Sequence, residues 1–134
     1  VDRGDGRKTA KSLRQVIEGV KRGKSLAVFP EGTRTPDGRL QEFKPGAFKI
    51  AVRAGVPIVP VTIRGTFELL PKTTLAPRPG RVDVIIGEPI ATSGISEKQL
   101  PELIARVRAA IQTHLDAPRA ATSPAEGVAE PSAR

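Results

Sequence analysis

A chain of 134 residues has the length of one domain, and its 38 % hydrophobic content suffices for a core, which four Phe and no Trp, Tyr or Met make aliphatic. Its 22 basic and 14 acidic residues give a net charge of +8, which favours anionic partners: phospholipid head groups, phosphorylated metabolites, CoA, an acidic carrier protein or nucleic acid. The absence of cysteine excludes a disulfide framework and a thiolate metal site and is compatible with a reducing compartment. No apolar run approaches the ~20 residues of a transmembrane helix, and residues from Val1 onward lack the apolar centre of a signal peptide.

In chain order, Leu13, Val16, Ile17 and Val20 recur at i, i+3, i+4 and i+7 with Lys and Arg on the other faces. Residues from about 9 to 22 are therefore predicted to form an amphipathic helix that Gly23 ends. Ser25 to Phe29 is an apolar run too short for another helix and contains Val and Phe, hence a predicted buried strand stopped by Pro30. Gly32, Pro36, Asp37 and Gly38 put residues 30–44 on a loop at the carboxyl end of that strand, where ligands bind in open α/β sheets. Pro45 suits a first helical turn, and Phe48, Ala51 and Val52 form the stripe of a short helix closed by Gly55.

Val56 to Ile63 is nearly all apolar and β-branched, the pattern of a strand buried on both faces in a parallel sheet. Pro57 and Pro60 cannot donate ladder hydrogen bonds and mark the start of that strand and a bulge or edge. Residues 69–80 hold three prolines and a glycine and read as a loop; Arg81 to Ile86 is a third predicted strand, stopped by Gly87 and Pro89. Leu100, Leu103, Ile104, Val107, Ile111 and Leu115 mark a last amphipathic helix over about 96–116, begun either by a Ser96/Gln99 capping box or by Pro101 in its first turn. Residues 118–134 carry one Val as their only large aliphatic and are predicted to be a disordered tail behind a domain of residues 1–117. Alternating helices and strands argue an α/β fold, a mostly parallel sheet flanked by helices.

The chemistry concentrates in Glu31, Gly32, Thr33 and Arg34, which follow the first strand and can converge on a small ligand without rearranging the scaffold. Phosphate suits them: Arg34 offers a planar fork of donors, Gly32 lets the backbone approach, and Thr33 adds a neutral donor. Glu31 would repel phosphate and is expected to hold an arginine in place or to bond a substrate hydroxyl. Arg3, Arg39 and Lys44 are further cations, Lys44 preceding a helix N-terminus that favours an anion. Gly19-Val20-Lys21-Arg22-Gly23-Lys24-Ser25 is not a Walker A loop, because three residues instead of four separate its glycines and it runs from helix to strand. The carboxylates have no metal-ligand spacing.

Phe29-Pro30-Glu31-Gly32-Thr33-Arg34 resembles the phosphate-binding block of the glycerolipid acyltransferases, the family containing 1-acylglycerol-3-phosphate acyltransferase. Three further segments support that resemblance in the expected order. Val1-Asp2-Arg3 looks like the end of the block whose arginine binds the acceptor phosphate, Phe43-Lys44-Pro45-Gly46-Ala47-Phe48 resembles the Lys-x-Gly-x-Phe segment, and Val56-Pro57-Ile58-Val59-Pro60-Val61 resembles the strand that shapes the acyl-donor side of the cleft. The resemblance spans about residues 1–117. It implies a partial acyltransferase fold and a phosphate site of Arg3, Glu31, Gly32, Thr33, Arg34 and Lys44. It also implies a lysophospholipid acceptor such as lysophosphatidic acid, acyl-CoA or acyl carrier protein as donor, no further cofactor and no metal, and a peripheral place on the cytoplasmic face of an anionic membrane.

In that family a His-x4-Asp dyad activates the acceptor hydroxyl, the histidine as general base and the aspartate orienting it. This chain has no His-x4-Asp; its single histidine, His114, follows the phosphate block instead of preceding it and reads as a residue of the last helix's C-terminal turn. The expectation is a carboxyl-terminal fragment, or a truncated product, that carries the acceptor-phosphate site without the base and does not turn over. The alternative reading is a non-catalytic basic module for phosphate or nucleic acid. Nucleic acid is not expected, for the chain offers neither aromatic stacking platforms nor a long basic run.

Overall fold

Seven elements follow from the segments above in a computed structural model that describes residues 3–70 and 76–119, with side chains described from residue 11 onward. Helix α1 spans Arg3–Lys21; its first turns carry Gly4 and Gly6 and no apolar stripe, so periodicity marks only the later part. It ends in a Schellman arrangement, in which the Gly23 N–H donates to the Val20 carbonyl and the Lys24 N–H to that of Gly19, with Gly23 at φ +89°. Helix α2, Gly46–Ala54, starts after Pro45 and closes the same way on Gly55. It packs against α1 and buries Phe48 and Ala51.

Strands β1, Val61–Arg64, and β2, Asp83–Ile86, pair antiparallel with Val61 opposite Ile86 and Ile63 opposite Val84. An Ile58–Ile90 bridge extends the pairing, and the Gly87 N–H donates to the Pro60 carbonyl. Pro60 has no N–H to give, and between the bridge and the ladder the β2 side carries one residue more than the β1 side, a bulge. A short helix α3, Thr66–Leu69, follows β1. It turns off the strand at Gly65, φ +93°, where any Cβ would collide with the Arg81 carbonyl. A 3-10 turn, Glu97–Gln99, leads into α4, Leu100–Asp116. Both start signals operate: Ser96 and Gln99 form the capping box, and Pro101 sits in the first turn of α4.

Helix α4 lies on β1 and α2. Between them Phe43, Phe48, Leu100, Leu103 and Val107 are buried, with Leu40, Ile58, Ile90, Ile95, Ile104 and Ile111 around them. Leu103, 1 % exposed, gains about 1.5–3 kcal/mol from its burial alone. Two of the four phenylalanines stack in this core, ring centroids 6.2 Å apart, among the aliphatic Leu100, Leu103 and Val107.

Three expectations about the sheet are not met among the described residues. Among the described residues the only sheet is this two-stranded antiparallel one, not a mostly parallel sheet. Ser25 to Phe29 forms no strand there and has no ladder partner, and Leu26, Val28 and Phe29 are exposed. A strand is completed only by a neighbour on its flank, which local pattern does not supply. The run Val56 to Ile63 is likewise covered on one face instead of two: Pro60 and Thr62 are buried, whereas Val59, Val61 and Ile63 face outward. Residues 71–75 of the expected loop and 120–134 of the expected tail lie outside the described residues.

Candidate functional site

Residues 30–44 leave the scaffold and return to it within one hydrogen bond: the Lys44 N–H donates to the Pro30 carbonyl at 2.8 Å, and the next residue inward, Phe43, is buried in the core. At the outgoing end the Gly32 N–H donates to the Phe29 carbonyl at 3.1 Å, a tight turn that places Gly32 at φ +71°. The Lys44 side chain lies across this turn: a Cβ on Gly32 would come within 2.8 Å of Lys44 Nζ. Glycine here therefore serves both the left-handed backbone and the close approach of an ammonium group. Thr33 and Arg34 stand next on the loop, exposed, and neither side chain bonds another described residue.

The far side of the loop is self-braced. Asp37 accepts hydrogen bonds from the Arg39 N–H at 3.1 Å and the Thr35 hydroxyl at 3.0 Å. These two bonds, the backbone one foremost, hold its carboxyl below the ordinary aspartate value. Arg108 of α4 donates to the Leu40 carbonyl at 2.9 Å and ties the returning limb to the helix. Glu31 Oε2 accepts the Gln41 N–H at 2.9 Å. The carboxylate thereby braces the two limbs of the loop.

The structure thus brings Glu31, Gly32, Thr33, Arg34 and Lys44 together. Arg3 begins α1, and its side chain lies outside the described residues. Val56 to Val61 is anchored to the core: the Val56 N–H caps α2 through the Ala51 carbonyl, Ile58 packs on the core, and the Thr92 hydroxyl donates to the Val56 carbonyl at 2.9 Å. His114 is half-buried in the last turn of α4, its Nδ1 3.3 Å from Thr62 Oγ1 and its carbonyl accepting from Arg64 at 3.1 Å. No carboxylate among the described residues bonds its ring.

An open cleft of about 810 Å³ between the loop, α3 and α4 is lined by Glu31, Arg39, Arg64, Phe67, Arg108 and Leu115 among others. Two of its guanidinium groups, those of Arg64 and Arg108, donate to main-chain carbonyls, and Glu31 and Thr35 of the loop are among its lining residues. Sequence reasoning missed these two arginines. No spacing rule marks a guanidinium whose partner is a carbonyl dozens of residues away. Among the described residues no group of three or more His, Cys, Asp or Glu side chains could hold a metal ion, and no helix is long and apolar enough to cross a membrane.

Residues 1–64, which include the Pro-Glu-Gly-Thr-Arg turn beside Lys44, match the family model described as Acyltransferase. The chain belongs to the glycerolipid acyltransferase family. It is 47 % identical over 87 residues to a chloroplastic 1-acyl-sn-glycerol-3-phosphate acyltransferase of Brassica napus, covering 64 % of this chain and 25 % of that protein. Its identity to the 1-acyl-sn-glycerol-3-phosphate acyltransferase of Pseudomonas aeruginosa is 34 % over 110 residues, 81 % of this chain and 42 % of that one. The crystal structure of the 1-acyl-sn-glycerophosphate (LPA) acyltransferase from Thermotoga maritima superimposes with a TM-score of 0.70 at 42 % identity, over 78 % of this chain and 44 % of that one. The chain therefore spans between a quarter and somewhat under half of the length of these relatives.

Proposed function

We propose that this chain supplies the acceptor-phosphate site of an enzyme that acylates lysophosphatidic acid to phosphatidic acid, with acyl-CoA or acyl carrier protein as donor. In that reaction the acceptor's free hydroxyl oxygen attacks the thioester carbonyl, the carbon–sulfur bond breaks, and the hydroxyl proton passes through a general base to the departing thiolate. The residues present here serve binding and orientation. Arg34 meets two phosphate oxygens with its forked donors, Lys44 adds a point charge, and Thr33 adds a hydroxyl donor. Holding the phosphate fixes where the hydroxyl lies, and such fixed geometry is a large part of the acceleration of a two-substrate reaction.

The observation that carries this reading is the exposed pair Thr33 and Arg34, whose side chains bond no other described residue, on a turn held by Gly32 and Lys44. A role at an anionic membrane surface, peripheral and on its cytoplasmic side, accords with the net charge of +8. The full domain's sheet is proposed to be mostly parallel, with Ser25–Phe29 as one of its strands and residues 1–117 forming one domain.

The base is proposed to come from residues other than these 134. The single histidine is held against Thr62, and the sequence has no His-x4-Asp. Incubating the purified chain with acyl-CoA and lysophosphatidic acid is expected to release no CoA above a no-protein blank. Turnover by the chain alone would overturn the proposed division of labour.

A further inference from the structure

Arg108 stands on the inward stripe of α4. Ile104 and Ile111, one turn before it and one after, pack against the core, and Arg108 between them is half-buried, whereas Arg106 is exposed. A cation taken partly out of water is tolerated only where its donors are satisfied. No carboxylate among the described residues pairs with Arg108 directly; its fork donates to two main-chain oxygens of the loop instead, that of Leu40 at 2.9 Å and that of Gln41 at 3.4 Å. Among the described residues these are the only hydrogen bonds that reach residues 31–42 from outside residues 29–44.

The Leu40 carbonyl and the Gln41 N–H belong to one peptide group. Arg108 holds that group by its oxygen, and Glu31 Oε2 holds it by its N–H at 2.9 Å. A cation and an anion that make no direct ion pair are thus joined through a single peptide bond. The two bonds reinforce each other, because donation to the carbonyl oxygen polarises the peptide and makes its N–H a better donor. The cationic end is rigid, since Leu100, Leu103 and Val107 root α4 in the core. The anionic end directly precedes Gly32, Thr33 and Arg34.

We propose that Arg108 is a positioning residue for the acceptor phosphate, acting through the Leu40–Gln41 peptide and Glu31 on the turn that carries Thr33 and Arg34. The relay has two effects. It fixes the turn against α4, so that the donors of Thr33 and Arg34 are held in place before phosphate arrives. It also offsets the charge of Glu31, which would otherwise oppose an anion beside it, and it does so without engaging Arg34. The effect on affinity rests on the acceptor-phosphate reading proposed above; the effect on the turn does not.

A double-mutant cycle on the 134-residue chain separates the two. Calorimetric titration with sn-glycerol 3-phosphate, at a temperature where each variant is folded, is paired with the ¹⁵N amide shifts of Gly32, Thr33 and Arg34 in the free chain. Arg108→Met, which keeps the aliphatic stem and removes the donors, is expected to weaken binding several-fold and to move the turn amides; Arg108→Lys should recover part of both. Glu31→Ala/Arg108→Met should bind within about twofold of the weaker single variant, because both changes break one relay, whereas independent effects would multiply. The control is Arg64→Met: Arg64 lines the same cleft and donates to the His114 and Ala117 carbonyls, away from the loop. It should lower the melting temperature and leave affinity and turn amides unchanged. Arg108→Met that only lowers the melting temperature, or effects of Glu31→Ala and Arg108→Met that multiply, overturns the proposal. If the wild type does not bind glycerol 3-phosphate, the acceptor reading falls and the turn amides alone decide the relay, which unmoved amides in Arg108→Met overturn. Should Arg108→Met not fold, Arg108→Lys decides by the same readouts, since one ammonium cannot reproduce the forked contact; unchanged amides and affinity there overturn the proposal.

Discussion

Glu31 Oε2 and the backbone N–H of Gln41 meet at 2.9 Å, ten residues apart along the chain, and this bond closes the loop that carries Thr33 and Arg34. The carboxylate acts on the site through the backbone, as a positioning group. Glu31→Ala should leave the Gln41 amide unpaired, cost about 1–2 kcal/mol, and weaken glycerol 3-phosphate binding several-fold. Amide exchange at Gln41 should quicken in this variant, whereas Glu31→Gln, which keeps an acceptor oxygen, should restore most of its protection.

Gly32 carries two demands at once, a φ of +71° and the Lys44 ammonium over its Cα. Gly32→Ala should therefore lose about 1–2 kcal/mol from the left-handed backbone and also displace the Lys44 side chain. Urea denaturation reads the first effect. The second should show as weaker phosphate binding, absent from the control Gly55→Ala, which shares the strained φ but has open space where its Cβ would lie.

Arg34 and Lys are not interchangeable at a forked phosphate contact. Arg34→Ala should reduce affinity for glycerol 3-phosphate by about tenfold or more, given roughly 1.5–3 kcal/mol for hydrogen bonds to charged groups. Arg34→Lys should recover only part of it. Neither change should move the melting temperature, since the side chain is exposed and bonds no described residue. Calorimetric titration alongside a melting curve checks both.

The Arg53–Glu97 pair ties the end of α2 to the turn before α4, Arg53 donating to Glu97 Oε1 at 2.7 Å and 3.0 Å. The Arg53 hydrogen bonds, followed by its charge, hold the Glu97 carboxyl below the ordinary glutamate value. A carboxyl with a depressed folded-state pKa stabilises fully above its unfolded value, and that contribution is lost as pH falls through the folded one. Thermal melting of the wild type against Glu97→Gln should thus give a small difference, constant from neutral pH down to about pH 4.3, the ordinary glutamate value, and vanishing below it. A difference that grew on acidification would contradict the pairing.

Helix positions were legible because period, caps and closing glycines are local: Leu13 to Val20, the Ser96/Gln99 box and Gly55 all act within a few residues of themselves. The turn at Phe29–Arg34 was legible for the same reason. Strand partners were not. Asp83–Ile86 pairs with Val61–Arg64 from across a loop, and Ser25–Phe29 reads as a strand whose neighbour no local signal can supply. Helix α3 escaped notice because four residues hold no period, and its start is dictated by the Arg81 carbonyl beside Gly65. The partner of Glu31 was missed because a backbone amide, unlike an arginine, leaves no letter in the sequence.

The proposed phosphate clamp is tested most directly by titrating the ¹⁵N-labelled chain with sn-glycerol 3-phosphate and following the amides of Gly32, Thr33 and Arg34 together with Lys44. The expected result is a saturable shift confined to these residues and abolished by Arg34→Ala. Shifts spread evenly over the chain's lysines and arginines, or unchanged in Arg34→Ala, would contradict a built phosphate site at this turn.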